Sequence, residues 1–188
     1  MRKTLAVFVA ALPVAALLVA GSGLAGAEAP PSPRTDKIEI KVVNGNLRFV
    51  GPKAVNRGDL LEIVNRTNPR SVGPHTFSLV TKASLPSRTP TRHGGEECFS
   101  PGHICLAIAA WHGVPSGKGA PKFNPAKAGA AGWSTMGTVT KKGDSWFTGN
   151  KPRTSFSQVV SANAGTTLYF VCAVHPWLQG SIKVQPAG

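Results

Sequence analysis

Apolar and polar residues alternate in short runs near both ends of the chain, and the alternation lapses in the middle. Lys37-Ile38-Glu39-Ile40-Lys41-Val42-Val43 sets most of its apolar side chains at every second position, the period of a half-exposed strand. Asn44-Gly45 then signals a hairpin turn into Asn46-Leu47-Arg48-Phe49-Val50. Arg57-Gly58-Asp59 marks another turn before Leu60-Leu61-Glu62-Ile63-Val64-Asn65. The run from Pro74 to Val80 alternates again. At the far end, Ser155 to Val160, Thr166 to Cys172 and Ser181 to Val184 each read as strands. Short strands at this spacing predict an all-β protein, an antiparallel sandwich or barrel.

Residues 82–154 are different: Gly, Pro, Lys and Ser dominate, and strands are hard to place. Ile104 to Trp111 reads as a short helix. Residues 82–140 are therefore expected to form a long loop-rich insertion into a single β domain spanning 37–188, without a core of its own. Residues 28–36 contain three Pro and no periodicity, and read as a flexible lead-in.

The chain begins with Arg2-Lys3, an apolar run from Leu5 to Ala20, and then small residues up to Ala27. This order predicts a secretory signal peptide over residues 1–27, cut after Ala27. The alternatives are a cut after Ala29 and an uncleaved anchor, for which the run is marginal in length. Export would place the protein outside the cell, in the cell envelope or in a periplasm, where cysteines can oxidise. No second apolar stretch approaches the length of a membrane span.

Composition narrows the function. The 21 Gly and 16 Pro favour a turn-rich β protein over a helix bundle. There is no Gly-rich nucleotide loop and no G-x-S-x-G. With eight Asp+Glu in total, and Glu96-Glu97 the one adjacent pair, a paired-carboxylate hydrolase has little to work with. Three Cys are too few for a disulfide scaffold.

Soft metal ligands are the remaining candidates. Cys172 and His175 lie three positions apart on a short loop between the last two predicted strands, so both can face one ion. Cys with two His makes a trigonal copper site, and His75, opening a strand after Gly73-Pro74, can supply the second imidazole. The string Tyr169-Phe170-Val171-Cys172-Ala173-Val174-His175-Pro176-Trp177-Leu178-Gln179-Gly180, with Pro74-His75 before it, resembles the cupredoxins, the small blue copper proteins, and amicyanin and pseudoazurin most. The resemblance covers about residues 36–81 and 155–186. It implies a Greek-key β-sandwich and one type 1 copper ion held by His75, Cys172 and His175, with the carbonyl of Gly73 or Pro74 near the axial position.

Two departures from that pattern stand out. Leu178 replaces the axial Met, so the site would be close to three-coordinate and of raised potential; Gln179, one residue off register, is the other conceivable axial donor. Thr76 stands where cupredoxins commonly have the Asn that ties the two ligand loops together.

Cys98 and Cys105 are seven positions apart, and in an exported protein two nearby cysteines usually pair, which would leave Cys172 as the free thiol. The alternative is a second metal site drawing on Cys98, Cys105, His93, His103 and His112, at a spacing that fits no zinc pattern well. Otherwise His93, His103 and His112 read as solvated loop residues. Trp177 either shields the edge of His175, joins an apolar docking patch, or packs on the barrel end. Trp111, Trp133 and Trp146 read as packing residues.

The formal charge is +13, with the densest clusters at Lys141-Lys142 and Lys151-Pro152-Arg153. The partners expected are an acidic redox protein or an anionic cell-envelope surface; export disfavours nucleic acid. The leading expectation is a monomeric one-electron carrier. A copper-handling protein without a redox chain and a metal-free binding module of the same fold are the alternatives. No His-x-His set for an oxidase is present, and no enzyme is expected.

Overall fold

The computed structural model describes residues 32–88, 97–114 and 128–188. The expected signal peptide and His93 lie outside the described residues.

Strand β1 (Thr35–Val43) buries Ile38 and Ile40 and turns Lys37, Glu39 and Lys41 away from the core, as its alternation predicts. It begins two residues before the predicted start. Asp59 accepts a hydrogen bond from the Arg34 N–H at 3.0 Å, and the Leu60 N–H donates to the Arg34 carbonyl at 2.8 Å, so the pairing starts early. The hairpin at Asn44-Gly45 leads to β2 (Asn46–Val50), which pairs antiparallel with β1. β4 (Leu60–Asn65) lies on the other side of β1, and β7 (Ser155–Val159) closes this four-stranded sheet in the order β2-β1-β4-β7.

The second sheet runs β3-β9-β8-β5-β6, built from β3 (Ala54–Asn56), β5 (Thr76–Val80), β6 (Ser145–Phe147), β8 (Thr167–Val171) and β9 (Gln179–Gln185). The two sheets form the expected all-β sandwich, with one correction: it is not wholly antiparallel. β1 with β4 and β3 with β9 run parallel, because the chain crosses between the sheets instead of turning back within one.

Between the sheets, Ile38, Ile40, Leu61 and Ile63 meet Phe77, Leu79, Leu168, Phe170, Ile182 and Val184. Phe77 lies 4.7 Å from Phe170 and 5.1 Å from Trp133, ring centre to ring centre. Trp133 is fully buried and donates its indole N–H to the Leu61 carbonyl at 3.0 Å, so its polar atom is satisfied inside the core.

β5 departs from the half-exposed reading, since all five residues are buried. Phe77 and Leu79 face the inter-sheet core, which puts Thr76, Ser78 and Val80 on the opposite face. That face is covered by the insertion. Val80, Val171 and Ala173 form one apolar cluster with Cys98, Ile104, Cys105, Ala107, Ile108, Trp111 and Ala128. The apolar side chains of the insertion are buried against the domain: its helix, α2 (Ile104–Trp111), shares an apolar cluster with the sheet. Contact is close. A Cβ on Gly137 would stand 2.2 Å from Cη2 of Trp111, so only glycine fits there. Cys98 and Cys105 form the expected disulfide, which fastens the segment before α2 to its first turn.

Candidate metal centre

Three segments bring the candidate ligands together. Asn68 accepts from the Arg70 N–H at 3.0 Å and caps a single helical turn, α1 (Pro69–Val72), started by Pro69. The turn ends at Gly73, whose φ of +78° suits glycine and reverses the chain into Pro74-His75 ahead of β5. Cys172 follows β8 directly. The loop from Cys172 to Leu178 is held by its own backbone: the Cys172 N–H donates to the Leu178 carbonyl at 2.9 Å, and the Leu178 N–H to the His175 carbonyl at 2.8 Å.

Among the described residues, His75, Cys172 and His175 form the one group of three His, Cys, Asp or Glu with convergent donor atoms, all within 4.8 Å of one another. The two His Nδ1 atoms are 3.2 Å apart, and Cys172 Sγ lies 3.6 Å from that of His175 and 4.0 Å from that of His75. The point equidistant from these three atoms lies about 2.1 Å from each, the reach of a metal–imidazole bond.

The outer edges of both rings are occupied. Thr67 donates its hydroxyl hydrogen to Asn65 Oδ1 at 2.7 Å, so at 2.9 Å from His75 Nε2 it accepts. His75 therefore carries its proton on Nε2 and presents a bare Nδ1 to the centre. Asn65 is locked the right way round, because its Oδ1 also accepts the Thr67 N–H at 3.0 Å. The His175 ring hydrogen-bonds the Val72 carbonyl, and its Nε2 edge is the one facing Gly73. Its Nδ1 is likewise turned inward. With both Nδ1 atoms and the sulfur turned to one point, a cation there would meet all three. The donor set fits a soft or borderline metal ion.

Burial and partners set the charge state. His75 and Cys172 are fully buried, and His175 is half-buried. Burial, then the neighbouring His175, lowers His75 to a pKa of about 4. Burial also lowers His175, opposed by the Val72 carbonyl. Burial pushes the Cys172 thiol up to about 11, against backbone N–H groups of Thr76, His175 and Val174 and the Thr76 hydroxyl, which favour the thiolate. The Thr76 N–H reaches Sγ at 3.3 Å, and Thr76 Oγ1 accepts from the Ala173 N–H at 2.8 Å. Thr76 thus links the two ligand loops in the place where Asn was expected.

Leu178 is buried in the same core cluster as Cys172. Gln179 directs its amide N–H groups to the carbonyls of Pro86 and Pro176, at 2.8 and 2.7 Å, and its oxygen to Arg88 Nε at 3.3 Å. Trp177 sets its ring edge-on to His175, 5.3 Å between centres, and is 36% exposed, so it both borders the ligand and faces solvent. Trp111, Trp133 and Trp146 are buried packing residues, as expected.

Among the described residues the alternative second metal site does not form. Its two cysteines are joined to each other, His103 is exposed and bonded to Ser100, and His112 is elsewhere. His112 also corrects its own reading as a solvated loop residue. It is 3% exposed, with Nε2 2.8 Å from Ser145 Oγ, because the end of α2 is pressed onto the sheet. Sequence reasoning missed Thr67, Asn65, Ser78 and Ser145, whose roles rest on contacts between segments distant along the chain.

No family model matches the chain, and no curated protein matches it. Among solved structures it is similar to auracyanin A, a "blue" copper protein from the green thermophilic photosynthetic bacterium Chloroflexus aurantiacus, at 16% identity and a TM-score of 0.40, covering 82% of this chain and 100% of that one. It is also similar to auracyanin B, at 10% identity and a TM-score of 0.38, covering 84% of this chain and 94% of that one.

Proposed function

We propose that this is an exported copper-binding protein of the blue copper type that carries single electrons. The observation that supports it is the triangle of His75 Nδ1, His175 Nδ1 and Cys172 Sγ, with all three atoms turned to its centre. Copper bound there would supply the one-electron Cu(II)/Cu(I) couple. His75, His175 and the Cys172 thiolate are the ligands in this reading. Thr67 and the Val72 carbonyl fix the rings. The N–H of Thr76 steadies negative charge on the sulfur. Leu178, buried in the same cluster as Cys172, carries no donor atom, which would favour Cu(I) and a high potential with copper bound, and Gln179 is committed to Pro86, Pro176 and Arg88. A site fixed on both ring edges moves little when its charge changes, which suits fast electron transfer. His175 beside the exposed Trp177 is the route to a partner.

Export by residues 1–27, work outside the cell or in the envelope or periplasm, and a monomeric state belong to the same reading. The excess of basic residues, with Lys141, Lys142, Lys151 and Arg153 all exposed, suits an acidic redox protein or an anionic envelope surface. Among the described residues no helix is long and apolar enough to cross a membrane.

The test is a visible absorption spectrum of the protein before and after addition of Cu(II), beside Cys172→Ser. An intense thiolate-to-copper band, absent in the variant, supports the reading, and reversible cycling at high potential separates carrier from copper handling. No band and no retained copper would overturn it and leave a metal-free module.

A further inference from the structure

A line of buried polar groups runs from the insertion to the sulfur of Cys172. His112 follows α2 at its C-terminal end, and its Nε2 is 2.8 Å from Ser145 Oγ. Ser145 Oγ is 2.6 Å from Ser78 Oγ, and Ser78 donates to Thr76 Oγ1 at 3.0 Å. Ser145, Ser78 and Thr76 are fully buried, each with a hydroxyl that has to be satisfied inside the protein.

Ser78 donating to Thr76 sets the direction, and counting carries it along the rest of the line. A hydroxyl has one hydrogen and two lone pairs. Thr76 Oγ1 accepts from Ser78 and from the Ala173 N–H, which fills both lone pairs. Its hydrogen is left for the side of the Cys172 sulfur, which the Thr76 N–H also reaches at 3.3 Å. Ser78 has given its hydrogen to Thr76, so it accepts from Ser145. Ser145 has then given its own, so it accepts from His112, whose Nε2 must carry a proton. All the donors point toward the metal centre. The other neutral tautomer of His112 would accept from Ser145, turn the line around and take the Thr76 hydrogen off the sulfur.

We propose that His112 is a positioning residue: through Ser145, Ser78 and Thr76 it directs a hydrogen bond onto the Cys172 sulfur, so that the insertion tunes the metal centre. The tuning rests on the copper reading above; the direction of the line does not. Hydrogen bonds in series polarise one another, and those reaching the cysteine sulfur tune a copper site's potential. A donor on the sulfur weakens its donation to the metal and favours Cu(I).

Two measurements test this. In the metal-free protein, ring ¹⁵N NMR of His112 is expected to show the proton on Nε2, with slowly exchanging hydroxyl protons on Ser78 and Ser145. A proton on Nδ1 with bare Nε2 would overturn the proposal. In the copper-loaded protein, His112→Phe is expected to shift the thiolate-to-copper band and to favour Cu(II) several-fold, a tenfold change being 59 mV for one electron. His112→Gln, which restores an N–H donor, is expected to recover both. If His112→Phe does not fold, Ser145→Ala breaks the same line at its next member. Folded variants with an unchanged band and potential overturn the tuning. If the wild-type protein takes up no copper, the functional reading and the tuning both fail, and the ring-nitrogen spectrum still decides the direction of the line.

Discussion

His75 and His175 face each other through Nδ1 atoms 3.2 Å apart, with their opposite edges held by Thr67 and by the Val72 carbonyl. Neither ring can relieve the crowding by a small rotation without losing its outer partner. Thr67→Val removes the acceptor of His75 Nε2 while keeping nearly the same shape. Metal affinity is expected to fall about 10- to 100-fold, with Thr67→Ser close to wild type. Competition against a chelator measures this; equal affinity in Thr67→Val would show that packing alone holds the ring.

Acid should destabilise the metal-free protein. The His75 pKa is about 4 in the folded chain, against 6.5 ordinarily, so the unfolded chain binds the extra proton first. The stability is present above pH 6.5 and is lost as pH falls from there through about 4. The loss is about 3 kcal/mol from this residue, read by urea unfolding at a series of pH values. His75→Gln should flatten the profile across that window; an unchanged slope would assign it to other groups.

Metal uptake should release a proton. With Cys172 at about 11, the metal-free thiol is protonated at neutral pH and has to ionise to bind. Affinity is therefore expected to rise about tenfold per pH unit between about pH 7 and 9, with about one proton released per ion. Calorimetry in buffers of different ionisation enthalpy counts that proton. A count near zero would mean that the metal sits elsewhere.

The Cys98–Cys105 disulfide closes a short loop ahead of α2. Replacing both cysteines by Ala is expected to cost about 2 kcal/mol in global stability. The local effect should be larger around α2, whose Ile104 and Ile108 pack in the cluster that the two cysteines share. Hydrogen exchange should accelerate first at the α2 amides; uniform acceleration across both sheets would contradict a local role.

The strands with one wet face were legible in the sequence, because Ile38 and Ile40 alternate with Lys37, Glu39 and Lys41. The helix Ile104–Trp111 was also read with its bounds. β3 and β6 were missed: each has three residues, too few to establish a period, and Ser145–Phe147 is buried throughout. The geometry of His75, Cys172 and His175 matches the spacing argument because a three-residue offset on a loop and the start of a strand constrain where the side chains reach. The supports were not legible. His112 meets Ser145 across 33 positions, and nothing local to α2 says which of its ends faces the sheet. Thr67 lies eight residues before His75, but α1 and Gly73 must fold the chain back before the two can meet.

Because β5 is buried on both faces, the insertion cannot be trimmed as though it were an ornament. A miniaturised version that joined Val80 to Ser145 by a tight turn would keep both sheets on paper. It would also leave Val80, Val171 and Ala173 facing water beside Ser78 and Thr76. Anyone shortening this chain would have to redesign the outer face of the second sheet first, and the sulfur of Cys172 would register the change.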